Sequence, residues 1–390
     1  MNIKKILLSL LLSLVVFFIG GATWIISLFS APNSVYPNIA ISAFLALWLL
    51  CMAFIWNWAT PKTRLLAFVA AAVAMVATAA VYEANSSYHR NIDQVSESEV
   101  DLSAYTPFAS GTLAATLGEP STLKFTQDFP SLDGATALYP LYSAFVMATY
   151  PQDYSSSQEG VMEKYKTVDC TNTDGAYRRL ISGDVDVIFV AGPSQGQLEM
   201  ALQEGVELVL TPIGRESFVF FVNSKNPVDG LSISAVRDIY SGKVANWKEL
   251  GGKNTAIRAY QRPSNSGSQS ALARMMGDVP LMDAPKEDIV NMMGGMIENV
   301  SAYRNYDNAI GYSFLFYTTK MAASNKIKLL EINGVAPSKE NALNGSYPFT
   351  SEFYAVTAGT ENPNAQAFID WILTSQGQAL VDKTGYIPLN

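Results

Sequence analysis

Three long apolar runs open the chain and predict membrane-spanning helices. They are Ile6–Phe29, Ile39–Trp58 and Leu65–Tyr82, and none contains a charged residue. Each run is long enough to cross about 30 Å of hydrocarbon as an α-helix. We therefore predict three transmembrane helices. For the first run a cleaved signal peptide is the alternative, because Lys4 and Lys5 precede it and small residues follow it.

The basic residues around these runs predict how the chain is oriented in a membrane. Lys4 and Lys5 precede the first run, Lys62 and Arg64 lie between the second and the third, and the loop between the first two runs has none. Lysine and arginine are retained on the cytoplasmic side. We therefore expect the amino terminus and the 61–64 turn inside the cell, and everything after the third run outside it.

Beyond the third run the chain becomes polar and irregular up to Ser121, which is typical of a tether. The pattern thus predicts a membrane anchor at 1–83, a linker at 84–121 and a large external domain at 122–390. Since no acidic, basic or histidine residue lies within the three runs, we expect them to serve as an anchor rather than as an ion pathway.

Short apolar runs alternate with amphipathic stretches throughout the large domain. Val185–Ala191, Glu207–Ile213 and Ser217–Val222 are rich in valine, isoleucine and phenylalanine, which favours strands. Apolar residues at helical spacing predict a helix over 138–146. Such alternation predicts an α/β fold with largely parallel sheets. About 270 residues exceed what one sheet usually organises, so we expect two lobes.

Three clusters of glycine, serine and threonine lie where a strand gives way to a helix. They occupy 132–137 (LDGATA), 171–175 (TNTDG) and 262–269 (RPSNSGSQ). The start of a helix exposes unpaired N–H groups with a partial positive charge, and glycine lets an anion reach that backbone. An ordinary helix cap explains any one cluster. Three clusters with Arg262, whose planar guanidinium matches an oxyanion, favour an anion site.

Composition and charge exclude several classes of function. Only 15% of the residues are charged, and four of the 26 basic residues but none of the 34 acidic ones precede residue 83. The large domain is therefore acidic, which argues against nucleic acid as a partner. One histidine, His89, and two cysteines, Cys51 and Cys170, provide neither a disulfide framework nor a Cys/His metal site. We expect no metal and no other cofactor.

Catalytic motifs give little support for an enzyme. The 241–244 segment (SGKV) lacks the upstream glycine and the following Ser or Thr of a P-loop, and no His-Glu-x-x-His occurs. His89 lies in the predicted linker, where it cannot serve a Ser/His/Asp site. We therefore expect the protein not to be an enzyme.

Several motifs of the large domain match those of a known family. The 134–136 loop (GAT) lies where that family has its first anion-binding loop, and Arg262 followed by Ser266-Gly267-Ser268 matches its Arg, three residues, Ser-Gly-Thr motif, with Ser268 for Thr. Further signatures are 226–228 (NPV), 239–243 (IYSGK), 246–247 (NW) and 310–312 (IGY). Residues 129–389 thus resemble the phosphate-binding proteins of ABC importers, within the type II periplasmic-binding-protein superfamily.

The resemblance implies a two-lobed type II periplasmic-binding-protein fold, here preceded by about three transmembrane helices. One lobe is expected at 122–214 with 322–390 and the other at 215–321. The connecting segments are expected near Gly214-Arg215 and Phe316-Tyr317, with the ligand between the lobes.

The resemblance also implies a function. It implies a membrane-anchored extracytoplasmic solute-binding protein that captures a tetrahedral oxyanion, phosphate first, for the permease of an ABC importer in the cell membrane. The expected ligand-binding residues are Gly134, Ala135, Thr136, Thr173, Arg262, Ser266, Gly267 and Ser268. The alternative is an anion-sensing or regulatory module that acts through a membrane partner.

One departure from the family concerns the choice of ligand. Phosphate-specific members place an Asp a few residues after the Val-Asp strand, where it accepts a proton from the ligand. Here 185–187 (VDV) is followed by IFVAGP at 188–193, which has no acid. Asp133 and Asp174 are the candidates to replace it, although helix capping is the expected role of each. Sulfate has no proton to donate, so the missing acceptor puts the preference for phosphate in question.

Overall fold

The computed structural model describes the chain in two compact units, Met1–Asp93 and Gln94–Asn390. The residues it describes are 3–30, 36–58, 60–90, 101–152, 168–284, 305–321 and 325–389. The end of the alternative signal peptide and residues 91–100 of the predicted linker lie outside these residues.

In its described residues the first unit is helical: α1 is Ile3–Ser30, α2 is Tyr36–Ile55 and α3 is Pro61–Arg90. By length and composition each is able to cross a membrane, as predicted. The helices α1 and α2 pack closely, because a Cβ on Gly20 would lie 2.9 Å from Cγ of Phe44. Glycine at this position therefore lets the phenylalanine ring lie against the α1 backbone.

The helix α3 extends beyond the predicted span Leu65–Tyr82 at both ends. It begins at Pro61, because the fixed φ of proline suits the first position of a helix. It continues to Arg90, since 83–90 contains neither glycine nor proline to end it. The turn expected at 61–64 and the start of the predicted linker are therefore helical.

The second unit is built around a mixed sheet. Its strands are β1 Leu132–Gly134, β2 Val187–Ala191, β3 Val209–Asn223, β4 Gly230–Leu231, β5 Arg258–Ala259, β6 Ala309–Phe314, β7 Ile327–Leu329, β8 Glu331–Ile332 and β9 Thr350–Thr357. The main sheet has the order β1-β2-β9-β3-β6-β5, with β7 also paired to β3, while β4 pairs with β8.

Helices flank this sheet, which confirms the predicted α/β class. They are α4 Tyr139–Thr149, α5 Asn172–Ile181, α6 Gln195–Gln203, α7 Ile233–Tyr240, α8 Gly267–Met276, α9 Lys339–Leu343, α10 Pro363–Ile372 and α11 Ser375–Thr384. The expectation of largely parallel sheets is wrong, because β9 is antiparallel to both β2 and β3, and β3 is antiparallel to β6 and β7. These antiparallel pairs arise where the chain crosses between lobes and returns.

The strand β3 runs unbroken through both lobes. Its first part, 209–217, pairs with β9, and its second part, 218–223, pairs with β6 and β7. Two separate strands with a connection near Gly214-Arg215 were expected here. Instead the ladder has only an irregularity between Pro212 and Gly214. A Cβ on Gly214 would lie 2.4 Å from Cζ of Phe353, so glycine keeps the strand continuous against that ring.

Each lobe has its own hydrophobic core. In the first lobe α4, α10 and α11 cover the sheet, and its core includes Phe145, Phe189 and Phe368. The predicted helix over 138–146 is α4, and nearly all of its residues are buried. In the second lobe Phe220 and Trp247 belong to a separate core that α7 and α8 cover.

The segment 325–349 belongs to the second lobe, whereas it was expected in the first. The strand β7 pairs with β3 at Phe221–Asn223, and β8 pairs with β4. Tyr347 is buried in the second core, and its hydroxyl donates to the carbonyl of Phe218 at 3.0 Å. These contacts move the return to the first lobe from near residue 322 to the start of β9.

The end of the predicted linker is packed rather than extended. Leu102, Tyr105, Phe108 and Leu117 lie against the core of the first lobe. Lys383 Nζ of α11 also donates to the carbonyl of Thr116 at 3.1 Å. Apolar side chains in this segment gain more by covering the lobe than by remaining in water, so residues 102–117 are part of the folded domain.

Candidate functional site

A buried carboxylate, Asp133, joins the first and second glycine-rich clusters. It lies in β1 with no exposed surface and accepts hydrogen bonds from Gly134 N at 2.7 Å and Thr171 N at 2.8 Å. Its other oxygen accepts from Thr171 Oγ1 at 2.6 Å and from Arg179 Nη1 at 2.8 Å. Arg179 also pairs with Asp169 at 2.8 Å. This network fixes the two loops relative to each other.

Neither candidate replacement for the missing acid caps a helix as expected. Both oxygens of Asp133 already accept hydrogen bonds from Gly134, from Thr171 of the second loop and from Arg179 of α5. Asp174 lies in the first turn of α5, where its Oδ2 pairs with Arg178 at 2.8 Å, while its Oδ1 is buried and has no hydrogen-bond partner among the described residues. The acceptor for the first turn of α5 is Asn172 Oδ1, which receives Asp174 N at 3.0 Å and Gly175 N at 3.2 Å.

The first cluster forms a tight turn into α4. A Cβ on Gly134 would lie 2.6 Å from the carbonyl oxygen of Phe189 and 2.8 Å from Cε1 of Tyr142, so only glycine fits. Ala135 N donates to the same carbonyl of Phe189 at 2.9 Å, and Thr136 starts a 3₁₀ turn that leads into α4. The predicted residues of this cluster are thus held by β2 and α4.

Cys170 lies beside the first cluster, with its Sγ 3.7 Å from the carbonyl oxygen of Gly134. Burial raises the pKa of its thiol. A protonated thiol is a poor nucleophile, so this cysteine fits the expected packing role.

The third cluster begins α8 in the second lobe. Ser266 caps the helix, because its Oγ accepts from Gln269 N at 3.2 Å. Arg262 Nη1 donates to Ser268 Oγ at 3.2 Å, and Arg262 N donates to Gln269 Oε1 at 2.9 Å. Arg262 N also lies 3.0 Å from the hydroxyl of Tyr312 in β6. Arg262 and the serines are therefore held as one group at the amino end of α8.

The second and third clusters face each other across the lobes. A Cβ on Gly267 would lie 3.1 Å from Oγ1 of Thr173 and 3.3 Å from Cβ of Ala191. Thr173 is buried in the first turn of α5, and Ser268 is buried in the first turn of α8. The structure thus brings the predicted residues of the second and third clusters together, and Asp133 connects the first cluster to them.

Three hydrogen bonds between the lobes lie beside these clusters. Ser194 Oγ donates to Asn265 Oδ1 at 2.8 Å, and Gln197 Nε2 donates to the carbonyl of Asn265 at 3.1 Å. Arg274 Nη1 donates to the carbonyl of Gly192 at 3.2 Å. Sequence reasoning did not single out Ser194, Gln197 or Arg274. The spacing Ser-x-x-Gln at 194–197 signals a helix start, although not a contact with the other lobe.

One of these residues lies in the spacing of a hydrolase nucleophile elbow, G-x-S-x-G, at 192–196. Ser194 follows β2 and precedes α6, as in such an elbow. Its Oγ accepts from Gln197 N at 3.2 Å and donates to Asn265, so it acts as a helix cap. The single histidine of the chain, His89, lies in α3 of the other unit, so this serine has no histidine base within its own unit.

The carboxylate of the Val-Asp strand, Asp186, is held away from the clusters. Its Oδ2 accepts from Ser131 N at 2.7 Å and Ser131 Oγ at 2.8 Å, and Asn362 Nδ2 donates to it at 3.2 Å. The residues 187–194 that follow carry no acid. Asp133 and Asp186 therefore do not replace the missing acid, whereas Asp174 keeps one oxygen beside Thr173 that is unpaired within the described part of the chain, and it remains the candidate.

A family model matches most of the large domain. Residues 128–376 match the model described as the PBP superfamily domain. The matched range includes all three clusters and both lobes.

Individual relatives agree with this match. The phosphate-binding protein PstS of Bacillus subtilis is 31% identical over 169 residues, which are 43% of this chain and 53% of that protein. Protein SphX of Synechococcus elongatus is 23% identical over 284 residues, which are 65% of this chain and 82% of SphX. The solved structure of an ABC-type phosphate transport receptor from Vibrio cholerae aligns with 66% of this chain and 99% of its own, at 17% identity and a TM-score of 0.46.

Proposed function

Because the chain belongs to the PBP superfamily, we propose that residues 101–389 form a solute-binding domain that captures a tetrahedral oxyanion, phosphate first, for an ABC importer. One observation carries the proposal: the Arg262 cluster at the start of α8 faces Thr173 of α5 across two lobes. The relatives named as phosphate-binding proteins support phosphate as the first ligand to test.

The chemistry of the site suits an oxyanion. The starts of α5 and α8 approach each other at Thr173 and Gly267, and both helix dipoles favour negative charge there. Thr173 and Ser268 supply hydroxyl donors, and Arg262 supplies charge-assisted hydrogen bonds. Because this set consists of donors, the overall acidity of the domain does not oppose binding. Binding needs no chemical step, and we propose none.

The three apolar helices support a location for the binding domain at a membrane. We place α1, α2 and α3 in the cell membrane as an anchor, with the binding domain outside the cytoplasm. The positions of Lys4, Lys5, Lys62 and Arg64 support this orientation. The permease of the importer, in the same membrane, is the expected partner.

The test of the site is calorimetry of the full chain in detergent micelles with phosphate and with sulfate. The variant Arg262→Ala should lose about 100-fold or more in affinity, because charge-assisted hydrogen bonds contribute ~1.5 to 3 kcal/mol each. Arg178→Ala is the control, since Arg178 is exposed and pairs only with Asp174 among the described residues. Sulfate should compete with phosphate, because 187–194 carry no acid and Asp133 and Asp186 are hydrogen-bonded elsewhere. The absence of competition would assign the role of proton acceptor to Asp174, whose Oδ1 has no hydrogen-bond partner among the described residues.

Two results would contradict the proposal. One is the absence of heat with both oxyanions. The other is an Arg262→Ala variant that binds as tightly as Arg178→Ala.

A further inference from the structure

The residue Asn265 lies within the anion cluster but is held by the opposite lobe. It precedes Ser266, which caps α8, and its side chain and carbonyl both receive donors from α6. A Cβ on Gly196 would lie 3.1 Å from Asn265 Oδ1, so α6 also approaches Asn265 closely at that glycine. Asn265 therefore links the first lobe to the loop that carries Arg262.

The partner of Asn265, Gln197, uses both ends of its amide. Its Oε1 accepts from Ser194 N at 2.9 Å, which completes the capping box at the start of α6. Its Nε2 donates across the lobes to the carbonyl of Asn265 at 3.1 Å. Gln197 has no exposed surface. A capping box accepts Glu or Gln equally at this position, so only the contact between lobes requires the amide nitrogen.

The helix α8 is attached to the first lobe at both ends. Asn265 is bound just before the helix starts, and Arg274 in its last turn donates to the carbonyl of Gly192 at 3.2 Å. A Cβ on Gly192 would lie 3.2 Å from Arg274 Nη1, so glycine leaves room for the guanidinium. The lobes therefore cannot separate without breaking the bonds at both ends of α8.

From these contacts we infer that Gln197 and Asn265 are positioning residues, which hold the anion cluster against the first lobe and slow the release of the bound oxyanion. The inference rests on the proposed function for the identity of the ligand. Neither side chain needs to touch the anion, because each acts by keeping the lobes closed around it. Since the lobes must open before the anion can leave, the effect falls on the dissociation rate.

The variant Gln197→Glu separates this role from helix capping. The carboxylate keeps the acceptor for Ser194 N but places an oxygen against the carbonyl of Asn265. The phosphate Kd should rise about tenfold or more, mainly through faster release of labelled phosphate when unlabelled phosphate is added. The thermal midpoint without phosphate should also fall, because the new carboxylate is buried and loses its hydrogen bond to Asn265. All measurements use the full chain in detergent micelles.

Gln195→Glu is the matched control, because it adds the same charge at the exposed start of the same helix. It should bind phosphate within about twofold of the wild type, since its charge is screened by water. If Gln197→Glu and Gln195→Glu release phosphate equally fast, the inference is wrong.

Hydrogen exchange of the peptide that covers 262–270 makes the result independent of the ligand. Faster exchange in Gln197→Glu than in Gln195→Glu supports the hydrogen bond between the lobes. This result holds even if the wild type binds no oxyanion, and the proposed function alone has then failed. Equal exchange overturns the inference. Asn265→Ala is the second variant, because it removes the acceptor of Ser194 Oγ without burying a charge and leaves the capping box intact. Asn265→Ala should also increase the rate of hydrogen exchange in 262–270 and the rate of phosphate release.

Discussion

Glu216 is a carboxyl group buried where β3 passes from one lobe to the other, with 5% of its surface exposed. It accepts a hydrogen bond from Phe316 N at 2.5 Å. Beside it is a cavity of about 340 Å³, whose walls include Tyr386 of the first lobe and Ser338 and Lys339 of the second. Both lobes therefore supply walls of the cavity beside this carboxyl.

Burial raises the pKa of Glu216 from its ordinary value of 4.5 to about 8, although the bond from Phe316 N acts in the opposite direction. Between these pH values the folded protein holds a proton that the unfolded chain has released. The free energy of unfolding should therefore fall as the pH rises from about 4.5 to 8, by a few kcal/mol, since each pKa unit is worth about 1.4 kcal/mol. In Glu216→Gln the free energy of unfolding should not show this decrease with pH.

The measurement is the thermal midpoint of the large domain at pH 5 and at pH 8.5, in wild type and Glu216→Gln. Other groups titrate equally in both proteins, so the difference between the two profiles isolates Glu216. Parallel profiles would show that Glu216 is hydrated in the folded protein.

The sequence identifies Arg262 and Ser266 as candidates but does not identify the residues of the first lobe that hold their loop. Arg262 and Ser266 belong to a motif of fixed spacing, which is visible in the chain itself. Asn265 and Gln197 lie far apart in sequence and meet only when the lobes close. No local pattern encodes that contact, so the sequence identifies Gln197 only as part of a helix start.

At the scale of elements, the unbroken β3 strand explains why the predicted connection near Gly214-Arg215 differs from the structure. The polar pair Arg215-Glu216 interrupts the apolar pattern, and such an interruption is typical of a loop. The strand continues through Arg215-Glu216 because β9 pairs with it before and after these residues. Only the tertiary fold brings β9 to this position. The alternation of apolar runs and amphipathic stretches predicts the α/β class. The direction of each strand depends instead on partner strands that are distant in sequence.

Gly214 is the position in β3 that tests this continuity. In Gly214→Ala the new Cβ would lie 2.4 Å from Cζ of Phe353 and 3.1 Å from Cγ1 of Val381. Overpacking of this kind costs roughly 1 to 3 kcal/mol, so the thermal midpoint of the large domain should fall by several degrees. Gly118→Ala is the control, since its nearest neighbour would be Lys383 Nζ at 3.9 Å.

A smaller side chain opposite Gly214 provides the reciprocal check. Phe353→Leu should restore part of the stability that Gly214→Ala loses, because the two changes act on the same contact. If the two changes are strictly additive, the ring of Phe353 does not limit this position.

At the scale of the whole molecule, the domain begins earlier than its sequence pattern predicted. The change to an alternating pattern is near residue 122, but Leu102, Tyr105 and Phe108 already pack on the first lobe. These residues are isolated among polar ones, so periodicity does not reveal them. The family resemblance is confirmed over 128–376 and likewise does not reach them.

Two truncated proteins test this boundary. A chain that starts at Asp101 should fold, bind phosphate and unfold cooperatively without the anchor. A chain that starts at Thr122 exposes the apolar surface that 102–117 cover, so its thermal midpoint should be lower by several degrees. Equal midpoints for the two proteins would show that this segment contributes nothing to the fold.

The order of the strands has a consequence for how the chain is made. The strand β9 lies between β2 and β3 in the sheet, yet it begins only at residue 350 of 390. The second lobe is thus inserted into the first, whose central strand β9 is made long after β2 and β3. The first lobe cannot complete its sheet during most of translation, and its long-range pairing favours slow folding. Chaperones have their longest access to this domain while β2 and β3 await the strand between them.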